Sequence, residues 1–250
     1  MAGKTILITG ASSGIGAALA RAHARDGVTL LLWGRDEARL RETEAQCRAL
    51  GAQTAIQSFD LSDTAGFAAR LAEADKAAPI DLAIFNAGLG GTVPDSAYAE
   101  APQSAQAIAQ VNFVAPVVGA SVLADAMARR GGGQIVLIGS ISESFPLPMA
   151  PTYAATKAGL RLFAEALGLR LRRHGVSVTL VSPGFIDTPM SRKVTEPKPF
   201  LMTADAAAAV ITRKIAARAR VIVVPWQFAV IRALAGLLPR ALVHWVLSRA

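Results

Sequence analysis

Cysteine is almost absent from this chain: Cys47 stands alone among 250 residues. An intramolecular disulfide is thereby excluded, and a reducing, cytoplasmic setting is the expectation. Histidine is scarce too. His23, His174 and His244 lie far apart, and with one thiol they give no metal-ligand spacing, so no metal is expected. No helix-turn-helix pattern, zinc finger or aromatic-basic strand motif supports a nucleic-acid partner. Internal repeats, low-complexity blocks and an interdomain linker are missing. A methionine opens the chain and an apolar strand follows almost at once, so no secretory or transit segment is expected.

The composition is rich in apolar residues (52%), with a formal net charge of +8 and mean hydropathy of +0.39. That length and content suffice for one sizeable core. The positive charge fits a solvated basic surface, a phosphate-bearing cofactor or an acidic membrane surface.

Apolar runs alternate with longer helical patterns. Strands are expected near 4–9, 28–33, 53–58, 80–85, 133–139, 176–181 and 220–224. Helices are expected near 14–26, 36–50, 62–77, 101–130, 152–174 and 203–217. This alternation predicts an α/β fold, a doubly wound parallel sheet covered on both faces. Ligands of such sheets sit at the carboxyl ends of strands. Thr9, Gly34, Asp60, Asn86, Ser140 and Pro183 all fall at or just after such ends.

The first strand runs into Gly10-Ala11-Ser12-Ser13-Gly14-Ile15-Gly16, and a helix follows. Glycines at such a turn let backbone approach a phosphate closely. The helix N-terminus beyond offers free N–H groups and a positive dipole end. The spacing is G-x-x-x-G-x-G rather than the usual G-x-G-x-x-G fingerprint. Further on, Tyr153 and Lys157 are four residues apart and share one helix face. A free phenol titrates near 10, and a cation beside it is expected to favour the phenolate. Ser140 closes the apolar run 134–138, so strand end and helix start can bring three polar groups around a carbonyl.

Taken in order, Thr9–Gly16, Asn86-Ala87-Gly88, Asn112, Ser140, Tyr153/Lys157 and Pro183-Gly184 resemble the signature of the short-chain dehydrogenase/reductase family. The match runs from about residue 4 to about 190, with a weaker pattern to about Val224. The resemblance implies seven strands, a nicotinamide cofactor and hydride transfer between it and a carbonyl or alcohol carbon. It implies Tyr153 as proton donor and acceptor, Lys157 on the phenolate and the nicotinamide ribose, and Ser140 on the carbonyl oxygen. Asn112 matches the asparagine that holds a water in the proton relay. Gly10, Ser12, Ser13, Gly14, Ile15 and Gly16 would cradle the cofactor. Asp60-Leu61 resembles the adenine-contacting pair, and Asn86, Ala87 and Gly88 would pass close to the dinucleotide. Pro183, Gly184 and Thr188 would flank the nicotinamide, although Thr188 also suits a turn cap.

The family's diagnostic acidic position falls on Gly34, followed by Arg35. A carboxylate there would hold the ribose of NAD, whereas an arginine accommodates a 2′-phosphate. NADP is therefore the expected cofactor, with NAD possible; Asp36 reads as an N-cap.

Residues 1–225 read as the catalytic domain and 226–250 as an apolar, basic helical extension. The last fifty residues carry a net charge of +6, and Arg232, Pro239 and Arg240 argue against a spanning helix. Peripheral membrane contact, a lid or subunit packing all suit this tail. The family usually builds dimers or tetramers. Substrate choice is expected to lie in 89–95, 142–149 and 185–201. The apolar residues of the last two point to a lipophilic carbonyl or alcohol. The rival readings are a catalytically silent dinucleotide-binding module and a membrane-interaction module.

Overall fold

The computed structural model describes residues 3–94, 96–195 and 197–235. Its central feature is a parallel sheet. The strands are β1 (Lys4–Thr9), β2 (Val28–Gly34), β3 (Gln53–Ser58), β4 (Leu82–Phe85), β5 (Gly133–Ile138), β6 (Val176–Pro183) and, last in the chain, Val221–Val224. Two short strands precede that last one: β7 (Ile186–Asp187) and β8 (Met202–Thr203) pair only with each other, and Val221–Val224 is therefore β9. The seven-stranded sheet has the order β3-β2-β1-β4-β5-β6-β9. The chain winds outward from β1 in one direction, then returns to β4 on the other side. The β1–β4 boundary is therefore the topological switch point, where open α/β sheets bind ligands.

Side chains alternate across each strand. Ile6 and Ile8 of β1 face one layer, formed by α1 (Gly14–His23), α2 (Glu37–Ala49) and α7 (Ala204–Ala216). Leu7 faces the other, formed by α3 (Thr64–Ala77), α5 (Ala115–Arg129) and α6 (Pro151–Leu171), around Phe67, Phe85, Leu123 and Leu160. Helix α4 (Pro102–Ala109) joins α5 through a π-turn at Gln110–Val114. The whole stretch Pro102–Arg129 is long and apolar enough to cross a membrane. It is instead laid against the sheet, with Ala115, Ala120, Leu123 and Met127 buried.

The expected strands and helices are present, with ends that differ by at most three residues. The clearest shift is β4, expected from residue 80 and starting at Leu82. Ile80 is outside the ladder because its N–H donates to Asp75 Oδ1 (2.8 Å) and its carbonyl accepts from Arg130. Two features are additions: the π-turn inside the long helix, and the β7–β8 pair, whose two-residue strands lack any periodic signal.

Helix α8 (Gln227–Ala235) follows β9 directly. The expected extension 226–250 is therefore described to residue 235, and the remainder of that stretch lies outside the described residues.

Candidate active site

The glycine turn is shaped by what cannot fit. Gly10 and Gly14 hold φ of 67° and 54°, the left-handed region open to glycine. A Cβ on Gly10 would stand 2.8 Å from the Ala87 Cα, and one on Gly14 would stand 3.0 Å from the Thr188 Cγ2. A Cβ on Gly16 would strike the Gly10 carbonyl oxygen. Thus β1, the Asn86–Gly88 segment and the segment after β6 meet at this turn. Thr9 fixes the switch point, its Oγ1 accepting from the N–H groups of Asn86 (3.0 Å) and Ala87 (3.1 Å). Asn86 Nδ2 donates back to the carbonyls of Thr9 and Gly10, both at 3.2 Å.

The start of α1 has no side-chain cap: Ser13 is extended and makes no capping hydrogen bond. Ser12, Ser13, Gly14 and Ile15 are partly open there. Uncapped N–H groups beside a glycine cradle fit a diphosphate.

Gly34 ends β2 beside Ser12, and Arg35 is exposed on the same rim. Asp36 is engaged elsewhere, capping α2 by accepting from the Arg39 N–H at 3.1 Å. The Ser62 N–H on Asp60 holds that carboxyl below its ordinary pKa, with a smaller contribution from Arg35. Leu61 is buried next to them.

The second half of the rim carries the polar cluster. Pro151 opens α6, Tyr153 is on its first turn and Lys157 one turn on. The Ser140 side chain lies near enough to the Tyr153 phenol to favour its ionised form. Ser140 Oγ accepts from the Ser142 N–H at 3.2 Å. Lys157 is buried and donates to the Ile138 carbonyl at 2.8 Å, at the end of β5. Its ammonium stands 5.7 Å from the Tyr153 ring centroid and beside Gly88.

The electrostatics correct one expectation. The Tyr153 phenol is pushed up, not down, because burial outweighs the influence of Ser140 and the Glu143 charge adds to the rise. Lys157 does not offset this rise: its ammonium donates to the Ile138 main-chain carbonyl and lies over the Tyr153 ring. Burial in turn lowers Lys157 to about 8, against the opposing pull of Glu143.

Asn112 sits buried in the π-turn with both ends of its side-chain amide hydrogen-bonded. Its Oδ1 accepts from the Leu89 N–H (2.7 Å) and its Nδ2 donates to the Leu89 carbonyl (2.8 Å). Thr188 Oγ1 accepts from the Ser191 N–H at 3.2 Å, which is the turn-cap role. Its hydroxyl proton stays free to donate. Pro183 ends β6, and the Gly184 N–H donates to the Val224 carbonyl at 2.8 Å.

A family model described as short chain dehydrogenase matches residues 4–199. The chain belongs to the short-chain dehydrogenase family. A ketoacyl reductase of Nostoc sp. is 32% identical over 79% of this chain and 70% of its own length. A short-chain dehydrogenase of Sphingobium yanoikuyae, solved with NADPH, is 28% identical with a TM-score of 0.81, covering 95% of this chain and 97% of its own. The bulky-bulky ketone specific alcohol dehydrogenase of Comamonas testosteroni is 28% identical with a TM-score of 0.79, covering 96% and 97%. This short-chain dehydrogenase is a nicotinamide-dependent oxidoreductase acting on CH–OH and C=O groups.

Several residues of the rim escape a motif search. Leu89, Ser182, Phe228 and Arg232 carry no site signal of their own. Glu143 does: Ser140-x-x-Glu143 is a capping-box spacing, and the structure forms that box at the start of the 3₁₀ turn Ile141–Ser144.

Proposed function

We propose that this protein is an NADPH-preferring reductase of bulky, lipophilic ketones, working reversibly on the corresponding alcohols. The observation that carries this reading is the convergence of Ser140, Tyr153 and the buried Lys157 ammonium at the carboxyl rim. A bound nicotinamide supplies or accepts the hydride. Ser140, already accepting from Ser142, directs its own proton to the carbonyl oxygen as charge grows there. Tyr153 delivers the proton to that oxygen, or removes it in reverse. Lys157 keeps positive charge under the phenol and reaches toward the cofactor's ribose past Gly88. The Asn112 main chain holds the water that refills Tyr153.

Gly10, Ser12, Ser13, Gly14, Ile15 and Gly16 hold the diphosphate, Asp60 and Leu61 the adenine, and Asn86 to Gly88 the adjoining ribose. Pro183, Gly184 and Thr188 flank the nicotinamide. NADP is favoured because Gly34 brings no carboxylate, Asp36 is engaged as a cap and exposed Arg35 offers a planar fork. Met149, Met190, Phe200 and Leu201 leave an exposed apolar wall. The bulky-ketone and ketoacyl specificities of the relatives above agree with a wall of that kind.

Following NADPH absorbance over a panel of bulky ketones and β-ketoacyl thioesters tests the reading. Tyr153→Phe should lower turnover by about two orders of magnitude or more and leave NADPH binding nearly intact. Near-normal turnover in that variant sinks the proton-donor assignment.

Two further features belong to this proposal. Leu162 and Leu169, seven apart on α6, are more than 60% exposed, which suits a dimer or tetramer built on that helix. Trp226, Val230 and Leu234 form an exposed apolar row at four-residue spacing, which suits peripheral contact with an anionic membrane. Co-sedimentation with anionic vesicles should fall for Trp226→Ser/Leu234→Ser; no binding by the unaltered protein removes that element.

A further inference from the structure

Glu143 is a fully buried carboxylate that the proton path does not use. It lies three residues past Ser140, and three donors converge on it. Oε2 accepts from the Ser140 N–H at 3.4 Å. Oε1 accepts from Ser182 Oγ at 2.7 Å and from Arg232 Nη1 at 3.3 Å. The charged and titratable groups around it are Tyr153, Lys157 and Arg161 of α6 and Arg232 of α8, with Ser182 of β6 and Ser140 of its own segment.

Arg232 belongs to a helix that also braces the substrate wall. Phe228, four residues earlier on the same face, has its ring 6.1 Å from Phe185 and 5.7 Å from Phe200, the latter edge-on. A Cβ on Gly184 would strike the Phe228 ring. Phe200 holds φ of 57°, uncommon for a bulky residue. The inner face of α8 therefore touches both walls of the cleft: the Ser140 segment through charge, and the 184–200 segment through aromatic rings.

We propose that Glu143 is a positioning residue for Ser140, held by Arg232, so that α8 sets the geometry of the catalytic hydroxyls. This rests on Ser140 and Tyr153 being the reacting pair.

A carboxylate suits the place because it only accepts. An amide has one accepting oxygen. If that oxygen meets Ser182 and Arg232, the NH₂ faces the Ser140 N–H, donor against donor. If it flips, the NH₂ faces Arg232. Either way a buried donor loses its partner, which displaces the segment carrying Ser140. A buried ion pair is weak evidence for a purely stabilising role, since apolar packing serves stability as well. Here the pair ends on the main chain of the residue that must be aimed.

The test compares Glu143→Gln, Arg232→Met and Arg232→Lys with the unaltered protein. For a ketone substrate, Glu143→Gln and Arg232→Met should each lower kcat by about tenfold while the KM for NADPH stays within about twofold. Arg232→Lys, which keeps the charge, should recover most of the loss. The alkaline limb of the pH profile should move to lower pH in Glu143→Gln, because Lys157 loses the charge that favours its ammonium. Values of kcat and a pH limb matching the unaltered protein in both Glu143→Gln and Arg232→Met overturn the proposal. Hydrogen exchange of the 227–235 amides reports the anchor without any turnover. Lost protection in Glu143→Gln supports it, and unchanged protection overturns it. Failure of the functional reading looks different: no ketone is reduced by the unaltered protein, while the exchange result stands by itself.

Discussion

The proposed preference for NADPH should be open to inversion at two adjacent positions. Gly34 is outside the left-handed region, and a Cβ there would stand 3.4 Å from both Ser12 Oγ and Leu40 Cδ2, ordinary contact. Gly34→Asp should therefore fold, and it places a carboxylate beside Ser12 on the adenosine side of the rim. A carboxylate about 6 Å from a phosphate charge costs about 3 kcal/mol at an effective dielectric near 20. Exposure at this edge reduces that to about 1.5 kcal/mol. Removing exposed Arg35 as Arg35→Leu forfeits a charge-assisted hydrogen bond, about 1.5 kcal/mol at the low end of its range. Adjacent changes do not add cleanly, so the double variant should shift the NADPH-to-NADH ratio of kcat/KM by about 100-fold. Initial rates with both cofactors at fixed low salt measure it, and the effect should shrink as ionic strength rises. A double variant whose ratio moves less than threefold would mean that Arg35 and the vacant carboxylate position do not read the 2′-phosphate.

Other predictions follow from single contacts. Gly16→Ala drives a methyl into the Gly10 carbonyl and the Asn86 amide, and should lose about 1–3 kcal/mol of stability together with NADPH affinity; urea unfolding and fluorescence titration with wild-type values would refute it. Lys157 titrates at about 8 in the free protein because of its burial, so kcat/KM for ketone reduction should decline above that pH, and a profile flat to pH 9.5 contradicts it. His23 is lowered from 6.5 to about 4, by burial first and then by Lys4 and Arg25. The unfolded chain then binds the proton more readily, so this contribution is complete above pH 6.5 and disappears as pH falls toward 4. About 2 kcal/mol should be lost by pH 5, and His23→Leu should abolish that part of the difference between urea unfolding at pH 7.5 and pH 5; an unaltered difference refutes it.

Legibility in the sequence follows how local the physics is. The strands of the main sheet could be read because each is a short apolar run between turn residues, and burial on both faces leaves little else for such runs to do. The glycine turn could be read because backbone conformation and close approach restrict the residue type at the site itself. The partners of that turn could not. Thr9 links β1 to Asn86 and Ala87 through one hydroxyl, and a threonine at a strand end is commonplace. The π-turn at Asn112 was hidden inside a continuous helical pattern, since one extra residue in a turn barely disturbs the periodicity. The direction of the phenol's shift is not legible because sequence shows the cation four residues away but not the burial that outweighs it, nor the Glu143 charge folded in beside it.

The tail shows most clearly what composition leaves out. Read as a string, residues 226–235 are apolar with one arginine, which suggests a single greasy surface. On a helix, positions two apart point in nearly opposite directions. Phe228 and Arg232 therefore face inward while Val230 and Leu234 face out, and the burial agrees: Phe228 is 7% exposed and Leu234 is 59%. The arginine that looked like a break in an apolar run is the cation that a buried carboxylate requires. The inward face had no reading from sequence because its partners, Glu143, Gly184, Phe185 and Phe200, are 28 to 89 residues away. The same separation explains a division of labour along the rim. The glycine-turn half is held by close backbone approach and by the Thr9 and Asn86 side chains bonded to main chain. The other half is held by side chains from α8 and the loops, so substitutions there can reshape the cleft and the aim of Ser140 while the glycine turn stays in place.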